Sequence, residues 1–269
     1  MTTVLVTGGT GTLGRLVVPR LLAAGCRVKI LSRTAQPERA DVEFVRGDLE
    51  SGAGVGAALA GVDTVLHLAG SQKNDGLKTR TLVDAATQAG VGHLVFISVV
   101  GADRVPVTSA IDRAQFGYFG EKRTAELAVM GSRIPWSMLR ATQFHELGLL
   151  TLQLLSKGPI AFVFGGIRFQ PIAAAEVAER MAELTLGRPA GLVPDLGGPQ
   201  VLEMGALMRS YLAAAGRRRP VLAIPVAGGA GRAMKAGANL DESRAIGRQT
   251  WAEFLAEHAF DVTSAPAAR

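Results

Sequence analysis

Apolar residues run unbroken from Val4 to Val6 and give way to Thr7-Gly8-Gly9-Thr10-Gly11, after which Leu13, Leu16, Val17 and Leu21 recur at helical spacing. A buried strand, a glycine turn and a helix follow from that pattern. Pro19 lacks an amide hydrogen and predicts a kink in this helix. The alternation then repeats. Strands are predicted over 27–31, 42–45, 63–68, 93–100 and 134–139, with helical periodicity at 55–60, 75–89, 118–130 and 143–155. Strand-helix alternation of this kind implies a parallel sheet with ligands bound across the carboxyl ends of its strands. The expected fold class is therefore α/β, a doubly wound parallel Rossmann-type sheet occupying residues 1–157. Past Gly158-Pro159 the pattern changes. Short apolar runs at 160–164 and 167–169 flank Gly165-Gly166, the signature of a hairpin. Helices at 175–186, 204–215 and 251–258 and a strand at 221–224 complete a smaller, substrate-facing α+β lobe over 158–269. Three stretches carry no periodicity: a long loop at 101–114, a glycine-rich and mobile stretch at 228–237, and a fraying tail beyond Val262.

A chain of 269 residues with 48% hydrophobic and 19% charged residues can bury a sizeable core. Its formal charge of +6 raises the question of polyanions, but the basic residues are scattered except for Arg217-Arg218-Arg219, which reads as a solvated loop. The positive balance equally suits a cofactor with several phosphate charges. Cys26 is the only cysteine, so an intramolecular disulfide and a cysteine-cluster metal site are excluded; it is expected to pack as a small hydrophobe. The histidines at 67, 93, 145 and 258 lack ligand-like spacing, and no metal site is expected. His67 lies in a buried run and reads as a core histidine satisfied by hydrogen bonds. No apolar run approaches the roughly 20 residues that span a bilayer, and the N-terminus shows no signal core. These features predict a cytoplasmic protein, monomer or homodimer, that takes a small-molecule substrate and has no membrane or nucleic-acid partner.

The chemistry begins at the glycines. Gly9-x-Gly11-x-x-Gly14 and Thr7-Gly8-x-x-Gly11-x-x-Gly14 are two registers of one dinucleotide-binding turn. Gly8 permits the tight turn, Gly11 admits a pyrophosphate, and Gly14 lets the helix approach the strand. Thr10, Thr12 and Leu13 supply amide groups at the helix start. About 20 residues past the glycines an acid selects NAD and an arginine suits the 2′-phosphate of NADP. Here Ser32-Arg33 stands at that position, with Arg15 within reach from the helix, so NADP(H) is preferred over NAD(H). Asp48 and Leu49, and the turn Leu68-Ala69-Gly70, fall at the same sheet edge. Asp48 either accepts from an adenine amino group or holds a turn. Tyr118 and Lys122, four apart on one helical face, form the candidate catalytic pair, in which an ammonium eases loss of the phenolic proton and orients the nicotinamide ribose. Thr108 and Ser109 offer hydroxyls from the loop, and Phe162, Phe164 and Phe169 are candidates for the wall of an apolar substrate pocket.

Four stretches carry a family resemblance: Val4 to Gly14, Phe96-Ile-Ser-Val-Val-Gly-Ala-Asp103, Tyr118 to Glu126, and Trp136-Ser-Met-Leu-Arg-Ala-Thr-Gln-Phe-His145. With them the chain resembles the short-chain dehydrogenase/reductase superfamily, in its atypical NmrA-like NAD(P)H-binding branch. The resemblance implies a Rossmann core holding NADP(H), with Ser98, Thr142 and Phe144 added to the cofactor contacts and residues 141–144 beside the nicotinamide. Catalytic members place a serine or threonine just after the fifth strand. Here Ser98 is still on the strand, and Val99 and Val100 occupy those positions. The branch holds quinone and carbonyl reductases as well as cofactor-binding redox sensors. Two readings therefore stand: an NADPH-dependent oxidoreductase passing hydride to a small apolar quinone or carbonyl, or a regulator without turnover that reports to a protein partner.

Overall fold

The computed structural model describes residues 1–71 and 73–258. Along the chain, β1 (Thr3–Thr7), α1 (Thr12–Ala23), β2 (Arg27–Ser32), β3 (Val42–Arg46), α2 (Val55–Leu59) and β4 (Thr64–His67) lead into α3 (Asp75–Gln88) and β5 (His93–Val99). Then come α4 (Ala110–Met130), β6 (Trp136–Ala141), α5 (His145–Leu155), β7 (Ala161–Phe164), β8 (Arg168–Phe169), α6 (Ala174–Leu186) and β9 (Gly191–Leu192). The remaining elements are β10 (Leu202–Glu203), α7 (Met204–Ala214), β11 (Val221–Ile224), α8 (Gly228–Lys235) and α9 (Trp251–Glu257).

Seven strands form one parallel sheet in the order β3-β2-β1-β4-β5-β6-β9, so the order reverses between β1 and β4 and opens a crevice at their carboxyl ends. Side chains alternate across it. Val4, Val6, Val95 and Ile97 pack with Leu13, Val17 and Leu21 of α1 and Val177 and Met181 of α6. Leu5, Leu94 and Phe96 pack on the other face with Leu59, Leu82, Ala125 and Val129. With both faces covered, the strands read as continuous apolar runs, and the expected doubly wound Rossmann-type sheet is the one found.

Differences from the sequence expectation have local causes. Helix α1 continues through Pro19 without a break, because Pro19 is exposed and the carbonyl it leaves unbonded faces water. Helix α4 begins at Ala110, well before Tyr118: Ser109 and Asp112 form a reciprocal capping box, and a kink at Phe116 (φ −132°, ψ 21°) precedes the predicted start. The turn at Gly165-Gly166 exists, with Ile167 N donating to Phe164 O, but no hairpin follows. Strand β7 pairs in parallel with β11, and β8 pairs with β10 instead. The glycine-rich stretch 228–237 is largely helix α8, docked on α4 through Ala230 N to Asp112 Oδ1 at 2.9 Å. Two elements beyond residue 158 return to the sheet: α6 packs against α1, and β9 extends β6. The expectation for residues past Val262 lies outside the described residues. Among the described residues no helix is long and apolar enough to cross a membrane.

Candidate functional site

The crevice at the β1–β4 reversal is built by glycines with different constraints. Gly8 has φ +71°, and a Cβ there would sit 2.6 Å from Ala69 N. A Cβ on Gly14 would sit 2.3 Å from Gly8 O, so the helix can approach the turn only without one. Gly11 is different: its nearest clash is Gly8 O at 3.3 Å, and it lines an open groove of about 420 Å³. Helix α1 starts there with no side-chain cap and no acid in its first turn, which leaves its amide groups and positive dipole end for an anion. Lys78 and Arg33 line the walls. Fixed glycines, free amides and two cations suit a nucleotide diphosphate.

Gly8, Thr10, Gly11, Ser32, Arg33, Asp48, Leu49, Leu68, Ala69 and Gly70 all line this groove, and Thr12, Leu13 and Gly14 form the helix turn behind it. Arg33 is exposed, whereas Arg15 is committed to the turn, its Nε donating to Thr10 O at 2.8 Å. The Ser32 hydroxyl donates to Thr34 O at 2.7 Å and so holds the β2–β3 loop. Asp48 Oδ1 accepts from Glu50 N at 3.0 Å, the turn-holding contact. His67, on the groove floor, is the satisfied histidine expected: Nδ1 lies 2.6 Å from Thr7 Oγ1 and Nε2 lies 3.0 Å from Thr79 Oγ1. Burial pushes its pKa down to about 4, and Lys122 adds to that shift while Asp75 opposes it.

Lys122 lies behind the groove, beside Gly70 and Asp75 of its lining. Its ammonium is buried 3.1 Å from Asp75 Oδ2, donates to Ile97 O at 3.4 Å and lies 5.0 Å from the centre of the Phe96 ring. A Cβ on Gly70 would meet Nζ at 3.1 Å, so Gly70 keeps the space in front of the ammonium open. Asp75, which lines the groove and accepts from Ser71 N at 2.9 Å, was not foreseen. Its only mark in the sequence is an acid at the first position of α3.

One turn before Lys122, Tyr118 lines a second cavity of about 180 Å³. Phe144, Leu147, Phe169, Met204, Leu207 and Trp251 wall it, so it is apolar almost throughout. Phe169 was foreseen here. Phe162 and Phe164 do not line this cavity; Phe164 packs against the cores of the smaller lobe. Burial raises the Tyr118 pKa, an effect that Lys122 opposes and Asp75 reinforces. Lys122 thus pairs with Asp75 of the polar groove and acts on Tyr118 of the apolar cavity, although its own side chain lines neither.

Three expected residues have other partners. The Ser98 hydroxyl donates to Glu126 Oε1 at 2.7 Å, and Thr142 Oγ1 accepts from Gly198 N at 3.1 Å; neither lines the groove or the cavity. Ser109 is held by Asp112 in the cap of α4 and is not a loop hydroxyl free to swing inward. Glu126 itself, one turn past Lys122, is fully buried and takes both Nε and Nη2 of Arg140 at 2.7 and 2.8 Å, while Arg140 Nη1 reaches Asp103 at 2.8 Å. The fork raises the Arg140 pKa against the burial that lowers it. Three of the four stretches that carried the resemblance therefore converge on one ionic network. Among the described residues no group of side chains could hold a metal ion.

Comparison with known proteins agrees with this geometry. Residues 8–185 match a family model described as NAD(P)H-binding. An NAD(P)H azoreductase from Xenophilus azovorans is 30% identical over 222 residues, covering 80% of this chain and 74% of the azoreductase. The chloroplastic protein TIC 62 of Pisum sativum is 30% identical over 243 residues, but the match spans only 42% of that longer protein. An NADPH-dependent quinone oxidoreductase of Escherichia coli, solved with NADPH, superimposes with a TM-score of 0.74 at 19% identity, covering 94% of this chain and 98% of that one.

Proposed function

Because the chain belongs to the NAD(P)H-binding family of oxidoreductases, we propose that it is an NADPH-dependent reductase whose acceptor is a small, uncharged quinone or carbonyl. The observation that carries this reading is Lys122, whose ammonium pairs with Asp75 of the nucleotide groove and acts on Tyr118 of the apolar cavity one helical turn away. A nicotinamide cofactor, when bound, supplies the hydride. The chain's own groups do the rest. Gly11 and the amides of α1 hold the pyrophosphate, Arg33 meets the 2′-phosphate, and Lys122 orients the ribose. Tyr118 and Phe144 hold a flat acceptor in a site that excludes water. Hydride transfer to a quinone yields the oxidised cofactor and a delocalised hydroquinone anion, which takes its proton from solvent after it leaves the site. The azoreductase and quinone-oxidoreductase relatives support this class of acceptor.

One observation favours a second reading, a cofactor-binding regulator without turnover. Val99 and Val100 stand where a catalytic hydroxyl is expected, and Ser98 is bonded to Glu126. Following NADPH absorbance with a panel of quinones and aldehydes separates the two. Consumption with any acceptor supports the reductase; tight binding that distinguishes NADPH from NADP, with no consumption across the panel, supports the regulator.

A further inference from the structure

The positive charge of the chain is concentrated. Residues 147–175 and 204–240 contain eight lysines and arginines and no aspartate or glutamate, so the formal +6 resides here and the remainder is slightly acidic. These residues build β7, β8, α7, β11, α8 and all of α5 except His145 and Glu146. At one end of this lobe, backbone contacts bring cations and apolar groups together. Arg219 donates to the carbonyls of Ser156 and Gly158, and Ala161 N donates to Pro220 O at 2.9 Å, which sets the turn after α5 against the turn before β11. Lys157 and Ile160 thus share one of these turns, Arg217 and Arg218 lie on the other ahead of Leu222, and Ile160 and Leu222 are 38% and 55% exposed.

Helix α5 extends the same surface. Leu147, Leu150 and Leu154, spaced as one helical stripe, are 51%, 51% and 53% exposed, while Leu149 and Leu152 bind the opposite side of the helix to the core. The stripe runs to the mouth of the apolar cavity, which Leu147 also lines.

We propose that this face docks on an anionic phospholipid bilayer, with Leu150, Leu154, Ile160 and Leu222 entering the headgroup layer and Lys157, Arg217 and Arg218 meeting lipid phosphates. An apolar stripe rimmed by cations is the pattern of an interfacial contact. Charge decides against a second copy of the chain: a two-fold contact through this face would set Lys157, Arg217 and Arg218 against the same three cations. A nucleic acid would use the cations and leave the leucines in water. The sequence argument against membranes concerned spanning segments, which a surface contact does not need. One consequence rests on the reductase reading: the mouth of the cavity at Leu147 then lies at the lipid boundary, where a lipid-soluble acceptor enters without crossing water.

The test needs no turnover, so its failure is separate from failure of the reductase reading. The intact chain is sedimented with vesicles of phosphatidylglycerol and phosphatidylcholine, and with phosphatidylcholine alone. Binding to the anionic vesicles only, weakened by salt, is expected. Leu150→Gln/Leu154→Gln and Arg217→Gln/Arg218→Gln should each lower partitioning about tenfold or more, at about fivefold per cation removed, while the fold, read by circular dichroism, stays unchanged. Three results would overturn the proposal: no binding to anionic vesicles, binding that the arginine pair abolishes but the leucine pair leaves intact, or a dimer in light scattering that the leucine pair dissolves.

Discussion

Tyr118 sits in an apolar wall where burial raises its pKa more than the ammonium of Lys122 lowers it. A phenol in that state can donate a hydrogen bond but parts with its proton reluctantly. For a quinone, whose reduced anion is delocalised, Tyr118→Phe is expected to leave kcat nearly unchanged. For an aldehyde, which develops a localised alkoxide, it should lower kcat by about 10² to 10⁴. Parallel kinetics on the two acceptor types measure this. Among the described residues no side chain pairs with the guanidinium of Arg33, which lines the groove, so Arg33→Ala should weaken NADPH by about 1 to 3 kcal/mol and leave NADH almost unaffected in fluorescence titration. His67 predicts a pH effect. Its folded pKa is about 4 against an ordinary 6.5, so the unfolded chain takes up the proton first as pH falls. Its contribution is complete above 6.5 and is lost on the way down to 4, by about 3 kcal/mol at roughly 1.4 kcal/mol per unit. Urea unfolding of His67→Asn should accordingly show a shallower loss between those pH values than the parent. The glycines, Tyr118 and Lys122 were legible in the sequence because each belongs to a local pattern. Asp75 was not, since its partner lies on another helix and only the fold brings the two together.

At the scale of elements, α4 carries Tyr118, Lys122 and Glu126 at successive turns of one face, so its register against the sheet sets both cavities at once. The Glu126–Arg140 fork fixes that register. Removing Glu126 leaves Arg140 buried with Asp103 as its remaining carboxylate partner, and Glu126→Ala is expected to cost about 3 to 5 kcal/mol of stability. Glu126→Leu/Arg140→Met should recover most of that loss in denaturant unfolding, because the pair's net worth over apolar packing is small. The start of α4 was within reach of sequence reading: Ser109 and Asp112 make a capping box. The partners of β7 and β8 were not. Strands as short as β8 and β10 carry no periodicity, and a glycine pair marks the turn without saying which strand lies beyond it.

Across the whole molecule the parallel sheet followed from strand-helix alternation, which every flanking helix preserves. What alternation could not show is that α6 and β9 come back to the sheet from the far side of the lobe, since that depends on where Val177 and Met181 meet α1. The acceptor cavity was legible only in part for the same reason. Phe169 was expected in such a wall and Phe144 only among the cofactor contacts, while Met204, Leu207 and Trp251 reach the cavity from elements whose packing no local signal specifies. The central claim is that the groove and the apolar cavity, linked through Asp75, Lys122 and Tyr118, act as one site, cofactor in the groove and acceptor in the apolar cavity. Gly148 on α5 lines the apolar cavity and not the groove, and a Cβ there would stand 3.8 Å from the Trp251 ring, in ordinary contact. Gly148→Leu therefore fills the acceptor cavity and leaves the groove untouched. Steady-state quinone reduction and NADPH titration on this one variant are the direct test. The account predicts reduction lost by about 10²-fold or more, as for a misplaced reactant, with NADPH affinity unchanged; reduction that persists at the parent rate would contradict it.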